Sequence, residues 1–280
     1  MLKIAIDIGG TTIKGVLLDE NKIIKEFSAP TNGKLGLDKI KQNLFFVIDN
    51  LMCENVKIIG ISSAGNIDYK NGVCVYATDN LKGFTGFKIA EEVQMRYNIK
   101  TVVDNDAICA LKSQIEYYGT DKTLVMITFG TGIGGAVLSN GKIIRGKNFN
   151  GARLGHTVLV PNGRPCNCGK LGCAETYLSC TALYNEAKKL IPNLEGVKQL
   201  FALYKTGDKN AKIVMKEFAF YLNIFLDNIR TFYSPDAIIF SGGLTKDFDI
   251  LLSLIDKKDD IKLAKNAQYA GCLGSLVQID

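Results

Sequence analysis

The chain has 280 residues, 47% of them hydrophobic, and a formal net charge of +6; the length sets a prior of roughly two domains, and the composition supplies full cores, which excludes a disordered chain. The charge is diffuse, without a run of about five or six like charges, so it suits anionic ligands and does not argue for nucleic-acid binding. The opening MLKIAIDIGG lacks the regions of a signal peptide, and no window holds the roughly 18 apolar residues of a membrane span. The expectation is a cytoplasmic protein without membrane or nucleic-acid partners, its eight cysteines reduced. In chain order, apolar runs at 3–8, 13–18 and 23–27, separated by a glycine turn and by Asp19-Glu20-Asn21, predict three antiparallel strands. Leu37, Ile40, Leu44, Val47, Ile48 and Leu51 share one helical face, and 57–61 reads as a buried strand. A helix is predicted over 106–118. The pattern then restarts, with strands at 123–129, 133–138 and 142–145, helices at 175–190, 211–233 and 246–255, and a buried strand at 237–240. Two similar α/β domains follow, 1–119 and 120–280, the second with a last helix free to pack back on the first.

Three glycine turns carry the next step. DIGGTTIKG (7–15) offers Gly9 and Gly10 between two strands, with hydroxyls at Thr11 and Thr12 and a cation at Lys14. FGTGIGG (129–135) offers Gly130, Thr131, Gly132 and Gly134, and FSGGL (240–244) offers Gly242 and Gly243. Turns without side chains bring backbone N–H groups close to phosphate oxygens, although any one of them also suits a plain hairpin. FGTGIGG has G-x-G-x-x-G spacing, but a strand follows it where a dinucleotide fold requires a helix, so a Rossmann reading fails.

The stretch PCNCGKLGCAE places Cys166, Cys168 and Cys173 within eight residues of one another, ten and more beyond His156, the only histidine. H-x9-C-x-C-x4-C supplies four soft or borderline ligands for a closed, tetrahedral, structural Zn²⁺ site, and Gly169 and Gly172 allow the loop to turn. The competing reading is three reduced thiols in a surface loop. Cys53, Cys74, Cys109, Cys180 and Cys272 are expected as small core residues. In VVDNDAICAL, Asp106 follows a strand-like run at the mouth of a helix, where ligands of α/β folds collect, and is the candidate general base; Asp104 is its rival, and a helix N-cap the plainer role for Asp106.

The series DIGGT, NDA, GTGIGGA, GHTVLVPNGRPCNCGKLGCAE and SGG resembles, over nearly the whole chain, the ROK family of sugar kinases and repressors within the actin-like, hexokinase-like ATPase superfamily. The resemblance implies two RNase H-like domains around a cleft, ATP with Mg²⁺ near Asp7, a hexose, structural zinc on His156, Cys166, Cys168 and Cys173, and common homodimers. It implies Asp106 as base, Asn105 and His156 on the sugar, and Glu175 delivered to the sugar by the zinc loop. Two departures stand out: Thr12 where many members have lysine, and Arg153 where the family's E-x-G-H has a glutamate. Arginine has five donors and no acceptor; facing a pocket it suits an N-acetyl carbonyl or pairs with Glu175, and otherwise it faces solvent. The segment AGNIDYKNGVCVYATDNLKGF, which holds the candidate sugar residues Gly65 and Asn80, is more similar to members acting on N-acetylmannosamine than to typical glucokinases. The reading is 6-phosphorylation of N-acetylmannosamine in sialic acid catabolism, with glucose or another hexose as runner-up and a non-catalytic sugar sensor as the alternative class. The repressors' winged helix is not expected, because DIGGT begins at Asp7.

Overall fold

The computed structural model describes residues 1–279, which form two compact units. In chain order the elements are β1 (Leu2–Ile8), β2 (Thr12–Asp19), β3 (Lys22–Pro30), α1 (Leu37–Leu51), β4 (Val56–Ser63), β5 (Asn66–Asp68), β6 (Val73–Tyr76), α2 (Ile89–Tyr97), β7 (Lys100–Asn105), α3 (Asp106–Lys112) and α4 (Ile115–Tyr118). There follow β8 (Leu124–Phe129), β9 (Ile133–Ser139), β10 (Lys142–Ile143), α5 (Glu175–Leu178), α6 (Cys180–Leu190), α7 (Val197–Lys205), α8 (Lys209–Tyr233), β11 (Ala237–Gly242), α9 (Phe248–Ser253), β12 (Ile261–Leu263) and α10 (Ala270–Ser275).

The first unit is built on the sheet β3-β2-β1-β4-β7. β1 pairs antiparallel with β2 and parallel with β4, and β4 pairs parallel with β7. The apolar stripe of α1 (Ile40, Leu44, Val47, Ile48, Leu51) is buried against Ile4, Ile6, Ile59 and Ile61 of the sheet, the burial that holds an amphipathic helix in place. The second unit repeats the topology in the order β9-β8-β11-β12. Its core joins Val125, Ile127 and Phe129 of β8 to Ile238 and Phe240 of β11 and to the inner face of α8. Asp208 caps α8 by accepting the Ala211 N–H at 2.8 Å.

The units do not divide at one point in the chain. Residues 142–151 and the segment from Tyr269 belong with the first unit, together with 1–119, whereas the sequence reading drew one boundary after 119. Some predicted elements are also shorter or broken. The helix expected over 106–118 stops at Lys112, where the Ser113 hydroxyl turns back to the Ala110 carbonyl at 2.7 Å and Gln114 is buried. The helix expected over 175–190 divides at Ser179, whose hydroxyl caps α6 by accepting the Ala182 N–H. The strand expected over 142–145 ends at Ile143, before Arg145 turns to another partner. Cys53 is exposed and Cys180 half-buried, so neither is a core residue as expected.

Candidate functional site

In the first unit three parallel strands end side by side, the position where open α/β sheets collect ligands. The register sets Asp7 of β1 beside Ser62 of β4, and Ser62 beside Asp104 of β7. The Ser62 hydroxyl donates to Asp7 Oδ1 at 2.5 Å. Asn105, not Asp106, is the N-cap of α3: its Oδ1 accepts the Ala107 and Ile108 N–H groups. Its amide nitrogen donates to the Gly65 carbonyl at 2.9 Å and to Asp106 Oδ1 at 2.8 Å. The Asn105 amide is thus committed to protein partners, and it aims the carboxylate that follows. Asp106 Oδ1 also accepts the Ala107 N–H at 2.8 Å. Both bonds fall on Oδ1. Burial, and then the Asp7 charge, push the Asp106 carboxyl up to about 7, the range of a base at neutral pH. Burial likewise raises Asp7, against the Ser62 hydrogen bond and the Lys14 charge.

Asp104, the rival base, is otherwise engaged. Arg145 grips its carboxylate with two parallel hydrogen bonds of 2.9 Å, Lys112 pairs with it at 2.8 Å, and it accepts the Asn105 N–H at 2.9 Å. Burial works against its ionisation, but the Arg145 hydrogen bonds and the Lys112 and Arg145 charges outweigh that, and the carboxyl sits below its ordinary range. The Arg145 guanidinium lies 3.5 Å from the centre of the Tyr69 ring. The nearby turn of Gly9 and Gly10 is closed by the Gly9 N–H on the Thr12 carbonyl at 3.0 Å. The buried Thr31 holds it from behind, its hydroxyl donating to the Gly9 carbonyl at 2.7 Å. Gly10, Thr11 and Thr12 are exposed, Lys14 is half-buried on β2 in register with Asp7, and Asn80 is exposed in a short 3-10 turn.

In the second unit the turns at 130–132 and 242–243 close the ends of neighbouring parallel strands, Gly242 lying in register with Phe129. Gly134 lies on β9, which runs antiparallel to β8. Among the described residues, one group of four has the makings of a metal centre: His156, Cys166, Cys168 and Cys173, with ligand atoms all within 4.8 Å of one another. A tetrahedral zinc with Zn–S of about 2.3 Å has ligand–ligand edges of roughly 3.8 Å. Cys166 Sγ lies 3.5 Å from His156 Nδ1, and Cys168 and Cys173 Sγ lie 3.6 Å apart, far too long for a disulfide of about 2.05 Å. Burial, with the Arg153 and Lys170 charges, pushes His156 down to about 4, which leaves the neutral imidazole a ligand needs. Gly172, at φ +76°, has its back against Val160, whose carbonyl oxygen lies 1.6 Å from where a Cβ would sit; only glycine fits there.

Arg153 is half-buried and does not project freely into solvent; its charge is felt by both His156 and Glu175. Glu175 opens α5, and its Oε2 accepts the Ile133 N–H at 2.9 Å. Sequence reasoning missed Ser62, Thr31 and Arg145, which act through partners distant in the chain, and Lys112, which pairs with Asp104 from the next helix; their residue types gave no local signal.

The chain belongs to the ROK family, whose model matches residues 3–274. It is 31% identical over 276 residues to a glucokinase of Halalkalibacterium halodurans, covering 90% of this chain and 83% of that protein. It is 26% identical over 246 residues to an N-acetylmannosamine kinase of Salmonella typhi, covering 87% and 84%. A ROK family glucokinase from Streptomyces griseus, solved in complex with glucose and AMPPNP, superposes with a TM-score of 0.86 at 25% identity, covering 98% of each chain. The fold is that of the actin-like ATPases.

The Arg145–Asp104 pair generates an energetic expectation. Arg145→Met leaves a buried carboxylate short of one cation and costs about 3 kcal/mol of stability. The double variant with Asp104→Asn recovers much of that loss in denaturant titrations. Strictly additive losses would show the two side chains to be independent.

Proposed function

We propose that this protein is an ATP-dependent sugar kinase that transfers the γ-phosphoryl group to the 6-hydroxyl of a hexose. The observation that carries the reading is Asp106: a half-buried carboxylate at the strand ends, one oxygen fixed by two hydrogen bonds and a pKa of about 7. The hydroxyl oxygen attacks the γ-phosphorus as its proton passes to Asp106 Oδ2, and ADP departs with the electrons of the broken P–O bond. Phosphate-facing groups are Gly9, Gly10, Thr11, Thr12 and Lys14 in the first unit, and Gly130, Thr131, Gly132, Gly134, Gly242 and Gly243 in the second. Asp7, a hard oxygen donor at the end of β1, fits a cation that makes few protein contacts. Mg²⁺ held by Asp7 would offset charge on the phosphate oxygens. His156, Cys166, Cys168 and Cys173 hold a structural zinc whose loop sets the positions of His156 and Glu175. Gly65 and Asn105 position the base, and Asn80, Arg153, His156 and Glu175 complete the sugar contacts. The dimeric state and cytoplasmic location common in the family are part of the same proposal.

N-acetylmannosamine is the acceptor favoured by Arg153, because a half-buried guanidinium offers donors to an amide carbonyl where a glutamate would accept from hydroxyls. Glucose is the second reading, favoured by the higher identity to the glucokinase of H. halodurans.

Three outcomes are expected. Asp106→Ala lowers kcat by about 10²- to 10⁴-fold in a coupled ATPase assay with acceptor present, while nucleotide affinity stays close to wild type; full turnover would remove Asp106 from the chemistry. Freshly purified protein carries about one zinc per chain by metal analysis, and Cys168→Ser lowers that content and raises the KM for sugar; protein free of zinc would refute the assignment. Arg153→Glu shifts the ratio of kcat/KM values for N-acetylmannosamine and glucose toward glucose by about tenfold. An unchanged ratio would remove the physical case for the N-acetyl acceptor.

A further inference from the structure

In the second unit, the segment that follows the last cysteine grips the turn at 130–132 from two directions. The Glu175 Oε2 accepts the Ile133 N–H at 2.9 Å just after the turn, and the Cys180 N–H donates to the Gly130 carbonyl at 2.9 Å at its start. The fit is close: a Cβ at Gly132 would lie 2.2 Å from Glu175 Oε2, so the glycine there makes room for the carboxylate as well as for any phosphate. The other carboxylate oxygen, Oε1, lies 3.9 Å from Cys166 Sγ. The Glu175 carbonyl accepts the Ser179 N–H at 3.2 Å, next to the cap of α6. One side chain therefore touches both the cysteine loop and the phosphate-facing turn.

We propose that Glu175 is a positioning residue that couples the cysteine loop to the 130–132 turn, so that the order of the loop and the affinity for nucleotide phosphates rise and fall together. A role limited to receiving sugar hydroxyls would leave the turn unaffected. The proposal rests on the kinase reading for the identity of the ligand, and its physical basis is the charge-assisted bond to Ile133 and the contact with Gly132. Coupling of this kind is reciprocal: what orders the loop strengthens the turn's ligand, and the ligand in turn protects the loop.

The test compares Glu175→Ala with Glu175→Gln, whose amide oxygen can still accept the Ile133 N–H. Two quantities are measured in the full chain: hydrogen exchange of peptides spanning 129–138, and the Kd of a non-hydrolysable ATP analogue. Glu175→Ala is expected to speed exchange across the turn and weaken the analogue by about tenfold, and Glu175→Gln to restore most of both. If Glu175→Ala does not fold, Glu175→Asp takes its place, since it keeps the charge but is one methylene too short to reach Ile133. Unchanged exchange in the alanine variant would overturn the proposal. Faster exchange with an unchanged Kd would overturn it too, by confining the bond to local structure. Wild-type protein that fails to bind the analogue would refute the kinase reading instead, and the exchange measurement would still judge the link between Glu175 and the turn.

Discussion

Two carboxylates that lie two residues apart must behave in opposite ways, and the candidate site of the first unit depends on how they are kept apart. Asp104 is locked between Arg145 and Lys112, both pairs buried, and is held ionised. Asp106 has one fixed oxygen, a buried setting and the repulsion of Asp7, and titrates near neutrality. A bidentate arginine is the partner that can hold a buried carboxylate in one orientation. Through the Asp104–Asn105 hydrogen bond that orientation passes to the N-cap of α3. Separating the environments of two like groups is a general route by which one fold supplies a base beside an inert carboxylate.

The second unit solves a different problem. A loop of some twenty residues with almost no regular structure has too little core to fix its own shape, and on the zinc reading proposed above a metal on the four gathered side chains would supply the missing constraint. The loop is further anchored through Arg164, which donates to the Thr176 carbonyl, pairs with Glu186 and Glu217, and lies over the Tyr177 ring. These contacts carry the geometry of the cysteines to α5, α6 and α8. Arg153 brings positive charge to a cluster of thiols, a histidine and a glutamate.

Much of this was legible in the sequence wherever the determining interaction is local. The strands β1–β3, the stripe of α1 and the spacing of the cysteines all declare themselves within about fifteen residues, because period and ligand spacing are short-range properties. The candidate base was legible only as one of two carboxylates. What separates Asp106 from Asp104 is Arg145, 41 residues away, and pairing at that distance leaves no mark in periodicity. The same holds for Thr31 behind Gly9 and for Glu175 against Gly132. The span of α10 was not read from the sequence for another reason. Its sequence AGCLGS lacks an apolar stripe, and it is held by close packing, with Gly274 set directly over the Cys109 carbonyl of α3. The cap of α3 was legible only as a competing role for Asp106, because either residue of an Asn-Asp pair can cap a helix; the extended backbone and accepting side chain at Asn105 give it to that residue.

The most direct test of Asp106 as a base with a displaced pKa is the pH dependence of kcat/KM for the preferred sugar at saturating ATP. The base acts only when ionised, so activity should rise with pH along an acid limb centred near 7. A limb at the ordinary aspartate value of about 4, or a profile flat from pH 5 upward, would contradict the role assigned to this carboxylate.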